Sequence, residues 1–135
     1  MQILLHVEDD DAMAVAFRAA VDEAGIQAIV KRVVDGKQAL EYLRREGLYS
    51  RAERPDLVFL DLNMPRIDGW QVLTEMRAEE ELRSIPVVIL STSNRCADQE
   101  RAKALGARQY IEKPPSFTAL IAAVGAAYRQ LGASA

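Results

Sequence analysis

Leu57-Val58-Phe59-Leu60-Asp61-Leu62-Asn63-Met64-Pro65 decides the architecture: four unbroken apolar residues, then an acid, then a proline-closed loop. Four apolar residues without polar alternation read as a strand covered on both faces, as in a parallel sheet packed between helices. An acid closing such a strand is costly unless it sits at an exposed end with a partner. The same arrangement recurs outward from this stretch. Ile3–Val7 runs into Glu8, Asp9, Asp10 and Asp11, Val87–Leu90 into Ser91-Thr92-Ser93, and Gln109–Glu112 into Lys113-Pro114. Ile29–Val34 carries Lys31 and Arg32, which suits an edge strand rather than a central one.

Helical patterns separate the strands. An Ala-rich segment from about Asp11 stops at Gly25, and Asp35-Gly36 opens a second with Ala39, Leu40 and Leu43. Trp70–Leu82 places Val72, Leu73 and Met76 on one stripe, and Ala97–Leu105 ends at Gly106. Phe117, Leu120, Ile121, Val124, Tyr128 and Leu131 recur at the spacing of a core-facing stripe. Strand and helix alternate through five βα units, which predicts an α/β fold with a doubly wound five-stranded parallel sheet. A single domain over 1–135 is expected, with Gly132–Ala135 as a frayed tail. The connection Arg45–Pro55 reads first as a solvated loop, with partner binding as the alternative.

Bulk properties narrow the function classes. Half of the 135 residues are hydrophobic and the net charge is -3, which disfavours a general binder of nucleic acid or membrane surface. Cys96 is the single cysteine, so no internal disulfide forms and a reducing compartment is expected. The start of the chain lacks a basic segment before its apolar run, and no apolar stretch approaches the roughly 20 residues that span a bilayer. A cytoplasmic location is the expectation.

In an open parallel sheet, ligands bind beyond the carboxyl ends of the strands, near the point where strand order reverses. If the first, third, fourth and fifth strands are neighbours, Glu8, Asp9, Asp61, Ser91 and Lys113 face one shallow cleft. Carboxylates a few ångströms apart repel by a few kcal/mol per pair at a surface-like dielectric of about 20, and a cation between them relieves this. Hard oxygen ligands suit Mg²⁺. With a lysine and a hydroxyl added, the set meets what phosphoryl transfer asks for, which is positioning and charge neutralisation. Each residue also has a plainer reading. Glu8 and Asp9 could be no more than acids at a helix start, where Asp10 or Asp11 serves as the cap. Ser91–Ser93 could begin a helix, Lys113 could be solvated, and Asp68-Gly69 is first of all a turn. His6, inside an apolar strand, reads as a buried, hydrogen-bonded structural residue rather than a phosphorelay histidine.

Taken together, Val7-Glu8-Asp9-Asp10, Pro55-Asp56-Leu57 through Asp61-Leu62-Asn63-Met64-Pro65, Asp68-Gly69, Pro86–Ser91 and Tyr110-Ile111-Glu112-Lys113-Pro114 resemble the receiver domain of two-component response regulators, over essentially the whole chain. The resemblance implies a flavodoxin-like sheet of strand order 2-1-3-4-5. It makes Asp61 the phosphoacceptor, with Glu8, Asp9, Asp61 and the backbone carbonyl of Asn63 holding Mg²⁺. Ser91 becomes the hydroxyl that turns toward the phosphoryl group, Lys113 the amine that contacts it, and Tyr110 the aromatic switch. It also implies a cis Lys113-Pro114 bond. The phosphoryl group would come from a sensor histidine kinase, and the fourth helix, fifth strand and fifth helix would form a dimer surface, for which an exposed Tyr128 is a further motive. His6-Val7-Glu8-Asp9-Asp10, the Arg45–Pro55 connection, Leu60-Asp61-Leu62-Asn63 and Leu82-Arg83-Ser84-Ile85-Pro86 are similar to the single-domain regulators of bacterial and cyanobacterial phytochromes. Ser91 stands where Thr is commoner, Thr92 where Ala is, and Pro115 follows Pro114.

Two enzymatic readings fit less well. A phosphatase of the haloacid dehalogenase type needs a general acid two residues after the nucleophilic Asp, and Asn63 there cannot protonate a leaving group. A dinucleotide-binding domain lacks its Gly-x-Gly-x-x-Gly after the first strand. A receiver used as an unphosphorylated docking module stays open. Activity on a separate substrate is not expected.

Overall fold

Capping side chains set where most of the helices begin. In the computed structural model, which describes residues 1–64 and 67–132, Asp10, Asp35, Asp68 and Ser116 each accept a backbone N–H from the first turn that follows. They open α1 (Asp11–Glu23), α2 (Gly36–Arg44), α3 (Gly69–Ala78) and α5 (Phe117–Ala127), while α4 (Cys96–Ala104) starts without a side-chain cap on its first residue. The strands are β1 (Gln2–Val7), β2 (Ala28–Val33), β3 (Leu57–Leu60), β4 (Val87–Ser91) and β5 (Gln109–Glu112). They form one parallel sheet of order β2-β1-β3-β4-β5, and the charged strand β2 takes an edge as expected.

The period of two along each strand divides the core in two. Leu4, Leu57, Phe59 and Leu90 face Phe17 of α1 and Val124 of α5. Leu5, Val58, Leu60 and Ile89 face Leu40 of α2 and Val72, Leu73 and Met76 of α3. Strand order reverses between β1 and β3, so the carboxyl ends of those two strands flank the crevice.

Several local expectations differ from the structure. α3 ends at Ala78 rather than Leu82, because Glu79 adopts an extended backbone and its carboxylate is held by Arg44 of α2. Phe117 is 43% exposed rather than core-facing: it stands in the first turn of α5, and the buried stripe begins at Leu120. Tyr128 is half-buried rather than exposed: its ring packs on the α1/α5 core and its hydroxyl donates to Gln2 Oε1. The connection 45–55 is not only a solvated loop, because it contains the 3-10 turn Gly47–Tyr49, and Tyr49 and Ala52 pack on the core. Pro65 and most of the expected frayed tail, residues 133–135, lie outside the described residues.

Candidate functional site

Glu8 lies one residue beyond β1, its N–H bonded to the Val33 carbonyl at 3.0 Å, and its side chain is fully buried. Asp61 lies one residue beyond β3, its N–H bonded to the Val7 carbonyl at 3.1 Å, and is 4% exposed. Asp9 is exposed at the rim. Carboxylate oxygens of Glu8, Asp9 and Asp61 all lie within 4.8 Å of one another. Lys113, beyond β5, brings Nζ to 3.0 Å from Glu8 Oε1 and 3.5 Å from Asp61 Oδ2. Four groups from three strand ends therefore meet.

Backbone close approach fixes the crevice. A Cβ on Gly69 would stand 2.2 Å from the Asp61 carbonyl oxygen, so only glycine lets α3 start against that strand end. Gly36 approaches the Ile67 carbonyl as closely and donates its N–H to it at 3.0 Å. Asn63 donates its N–H to Asp61 Oδ1 at 3.2 Å, which places its peptide unit at the mouth of the crevice.

Charge is unbalanced here. Burial and the Asp61 carboxylate push the Glu8 carboxyl up to about 7, against the opposing pull of Lys113. Burial alone would lower the Lys113 ammonium, but Asp61 and Glu8 outweigh it and the net direction is upward. Glu8 Oε1 touches Lys113 Nζ as an ion pair, yet no donor is aligned with it for a hydrogen bond. A buried carboxylate oxygen left in that condition, beside two further carboxylates, is the donor set a hard divalent cation completes. The residues fit Mg²⁺.

Ser91 ends β4, buried, and its Oγ accepts the N–H of Ser93 at 3.1 Å. Tyr110 is half-buried, and its hydroxyl donates to the Ser93 carbonyl at 3.0 Å. Ser93 thus joins the two expected switch residues, a link not foreseen from sequence. Its Oγ also donates to Asp98 Oδ2 at 2.6 Å and accepts the Arg95 N–H, tying the loop to the start of α4. That bond holds the Asp98 carboxyl below the usual carboxylate range.

Two expectations about the site are corrected. The Lys113-Pro114 bond is trans, and no cis peptide occurs among the described residues. Trans is favoured by roughly 0.5–1 kcal/mol for bonds preceding proline, and Lys113 reaches the crevice with its N–H bonded to the Ser91 carbonyl at 2.7 Å. His6 is buried as expected but not hydrogen-bonded: its ring stacks on Phe17 at 3.9 Å, and the Glu8 Oε1 atom lies 4.0 Å from Nε2, beyond hydrogen-bond reach. Burial, with Lys113 and Arg32 nearby, pulls its pKa down to about 3, so the imidazole is neutral at physiological pH.

A doubly wound parallel sheet with an acidic, cation-accepting crevice at its reversal point defines a signalling module of the receiver type. The response regulator receiver domain model matches residues 4–125, and the chain belongs to that family. Among curated relatives, the probable methanogenesis regulatory protein FilR2 of Methanothrix harundinacea is 40% identical over 85% of this chain and 74% of its own length. The response regulator Rcp1 of Synechocystis is 33% identical over 83% and 76%. Among solved structures, the phosphorylated cyanobacterial phytochrome response regulator RcpA superposes with a TM-score of 0.91 at 36% identity, covering 99% of this chain and 96% of that one. RPA3017, a response regulator in red light signalling of R. palustris, gives 0.90 at 30% identity over 96% and 92%. The Mn²⁺-bound form of Rcp1 gives 0.87 at 30% identity over 95% and 92%. The family is a signalling one, and phytochrome response regulators are among this chain's structural neighbours. No helix among the described residues is long and apolar enough to cross a membrane.

Proposed function

We propose that the chain is a cytoplasmic response regulator receiver that accepts a phosphoryl group on Asp61 from the phosphohistidine of a sensor kinase. The observation that carries this reading is the meeting of Glu8, Asp9 and Asp61 within 4.8 Å, with Lys113 Nζ at 3.0 and 3.5 Å from two of them. An Asp61 carboxylate oxygen attacks phosphorus, a P–O bond forms as the P–N bond breaks, and the electron pair returns to the kinase imidazole. Glu8, Asp9, Asp61 and the Asn63 carbonyl would hold Mg²⁺, which would supply neutralisation of the phosphoryl oxygens. Lys113 contributes a second positive charge, and Asn63 N–H orients the Asp61 carboxylate.

The signal leaves through β4 and β5. When the Ser91 hydroxyl turns to donate to a phosphoryl oxygen, the Ser93 N–H loses its acceptor, and the Tyr110–Ser93 bond is released with it. The surface of α4, β5 and α5 changes shape and serves as the contact for a downstream partner or a second copy. Moving such an equilibrium from 1:99 to 99:1 takes about 5.5 kcal/mol, which a few charge-assisted hydrogen bonds of about 1.5–3 kcal/mol each supply. The similarity to RcpA, Rcp1 and RPA3017 supports a phytochrome-type kinase as the donor.

Incubation with acetyl phosphate and Mg²⁺, followed by intact-mass measurement, is the test. One added phosphoryl group is expected, absent with EDTA and absent in Asp61→Asn. An Asp61→Asn protein that still gains the mass contradicts the proposal.

A further inference from the structure

Val87 opens β4 at the end opposite Ser91, about 13 Å away at a rise of roughly 3.3 Å per residue. Beside it lies a cleft of about 310 Å³, floored by Leu73 and Met76 of α3, Ile85 of the connection to β4, and Leu105 after α4. The rim carries Arg77, Arg83 and Arg108, and no acid among the described residues lines it. All three arginines are exposed, and none makes an ion pair or side-chain hydrogen bond among the described residues. Other arginines of the chain are matched: Arg32, Arg44 and Arg95 each meet a carboxylate, and Arg101 lies over the Trp70 ring at 4.1 Å. Counter-charge is not scarce, since the sequence has 20 acids against 17 lysines and arginines.

A single solvated arginine is ordinary, and a helix carboxyl end offers partial negative charge of its own. Both α3 and α4 end at this cleft, with Arg77 in the last turn of one and Leu105 capping the other. Two such ends contribute about −0.5 charge each against three full positive charges, so roughly two positive charges stay unanswered over an apolar floor. Gly106, at φ 96°, leaves room for one of them, because a Cβ there would stand 3.0 Å from Arg77 Nη1. Guanidinium groups engage phosphate oxygens in pairs, and their weak hydration suits them to do so beside apolar surface. The volume sits at the low end of small-molecule sites, which run from about 300 to 1,000 Å³.

We propose that this cleft binds a small organic dianion of the phosphomonoester class. Its oxygens lie among Arg77, Arg83 and Arg108, and its apolar portion rests on Leu73, Ile85 and Leu105. The site is separate from the acidic crevice and needs no divalent cation. The test is calorimetric titration of the full chain with phenylphosphonate, in EDTA so that no metal draws the anion to the crevice. This probe has a dianionic head and an apolar ring, and its P–C bond transfers no phosphoryl group to a carboxylate. Saturable binding at one site is expected, and inorganic phosphate, which lacks the ring, binds about tenfold more weakly. Arg83→Gln and Arg108→Gln each weaken phenylphosphonate about tenfold, as a charge-assisted hydrogen bond is lost. Arg51→Gln removes a charge elsewhere on the surface and leaves the affinity unchanged. Thermal melts of the three variants match wild type. In the wild type, amide NMR shifts on titration gather at Gly106 and Arg108. No binding up to millimolar concentration overturns the proposal, as does binding that both cleft variants leave intact or that Arg51→Gln weakens equally. Inorganic phosphate binding as tightly as the phosphonate, an adventitious ion only, overturns it too, and so do amide shifts that gather at Glu8 and Asp61.

Discussion

Two charge clusters, one within the crevice and one at the opposite end of the sheet, differ in how well they are matched. Between α2 and α3, Arg44 meets two acids in full: Nε lies 3.2 and 3.0 Å from the oxygens of Glu79, and Nη2 lies 2.9 Å from Glu75. Those bonds raise the guanidinium further above its ordinary value, and the group is partly open to water. In the crevice, Lys113 faces Glu8 and Asp61 with Asp9 close by, and a buried Glu8 oxygen lacks a hydrogen-bond donor. Geometric satisfaction marks the first cluster as a brace. Its absence marks the second as a donor set that a divalent cation would complete, which the proposed function requires.

Removing each cluster's cation should separate the two. Lys113→Met leaves two buried carboxylates facing each other, and should cost about 3 kcal/mol of unfolding free energy in EDTA, with part recovered on adding Mg²⁺. Urea melts with and without the metal read this out. A variant as stable as wild type in EDTA would mean that the crevice is not crowded.

The next largest effect concerns pH. His6 has a folded pKa near 3, below its ordinary 6.5, so the unfolded chain binds more protons between those values. The stability it contributes is present above pH 6.5 and is lost as pH falls toward 3, by about 2.5 kcal/mol between pH 7 and 4.5. Glu8 acts in the opposite sense: with its pKa raised from 4.5 to about 7, metal-free stability declines as pH rises across that window. Comparing wild type with His6→Leu isolates the histidine. Equal pH slopes in the two proteins would contradict the buried neutral ring.

Asp9→Asn is a milder perturbation, because Asp9 is exposed. It should weaken Mg²⁺ binding about tenfold, roughly 1.4 kcal/mol, by calorimetric titration. In EDTA the same substitution should stabilise slightly, by about 0.5 kcal/mol, as one repulsion is relieved. A clear loss of stability without metal would oppose the account. Arg44→Met should have the smallest effect, about 1 kcal/mol, reduced in 1 M salt and without change in Mg²⁺ affinity, as expected for a partly exposed pair.

The architecture was legible because burial on both faces leaves a plain mark. Leu57–Leu60 and Val87–Leu90 read as strands for that reason, Gln109–Glu112 by its place in the alternation, and the acids and the lysine beyond the strands converge as that alternation requires. Residues that depend on tertiary neighbours were less legible. Phe117 shares the helical spacing of the α5 stripe but stands in the first turn, ahead of the first buried position at Leu120, and periodicity cannot register where burial begins. Tyr128 finds a partner 126 residues away in Gln2. His6 was expected to find a hydrogen bond, as most buried polar groups do, and instead stacks on Phe17. Ser93 joins Ser91 to Tyr110 mainly through its backbone N–H and carbonyl, which carry no signature in residue type.

The central claim is that one carboxylate among three becomes the phosphate carrier, and it is tested most directly by locating the modified residue. After reaction with acetyl phosphate and Mg²⁺, borohydride reduces an acyl phosphate to the corresponding alcohol, and peptide mass mapping finds its position. The account predicts homoserine at residue 61 in place of Asp61 and unmodified Glu8 and Asp9. Reduction at Glu8 or Asp9, or an Asp61 that never reacts while the protein still gains phosphoryl mass, would contradict it.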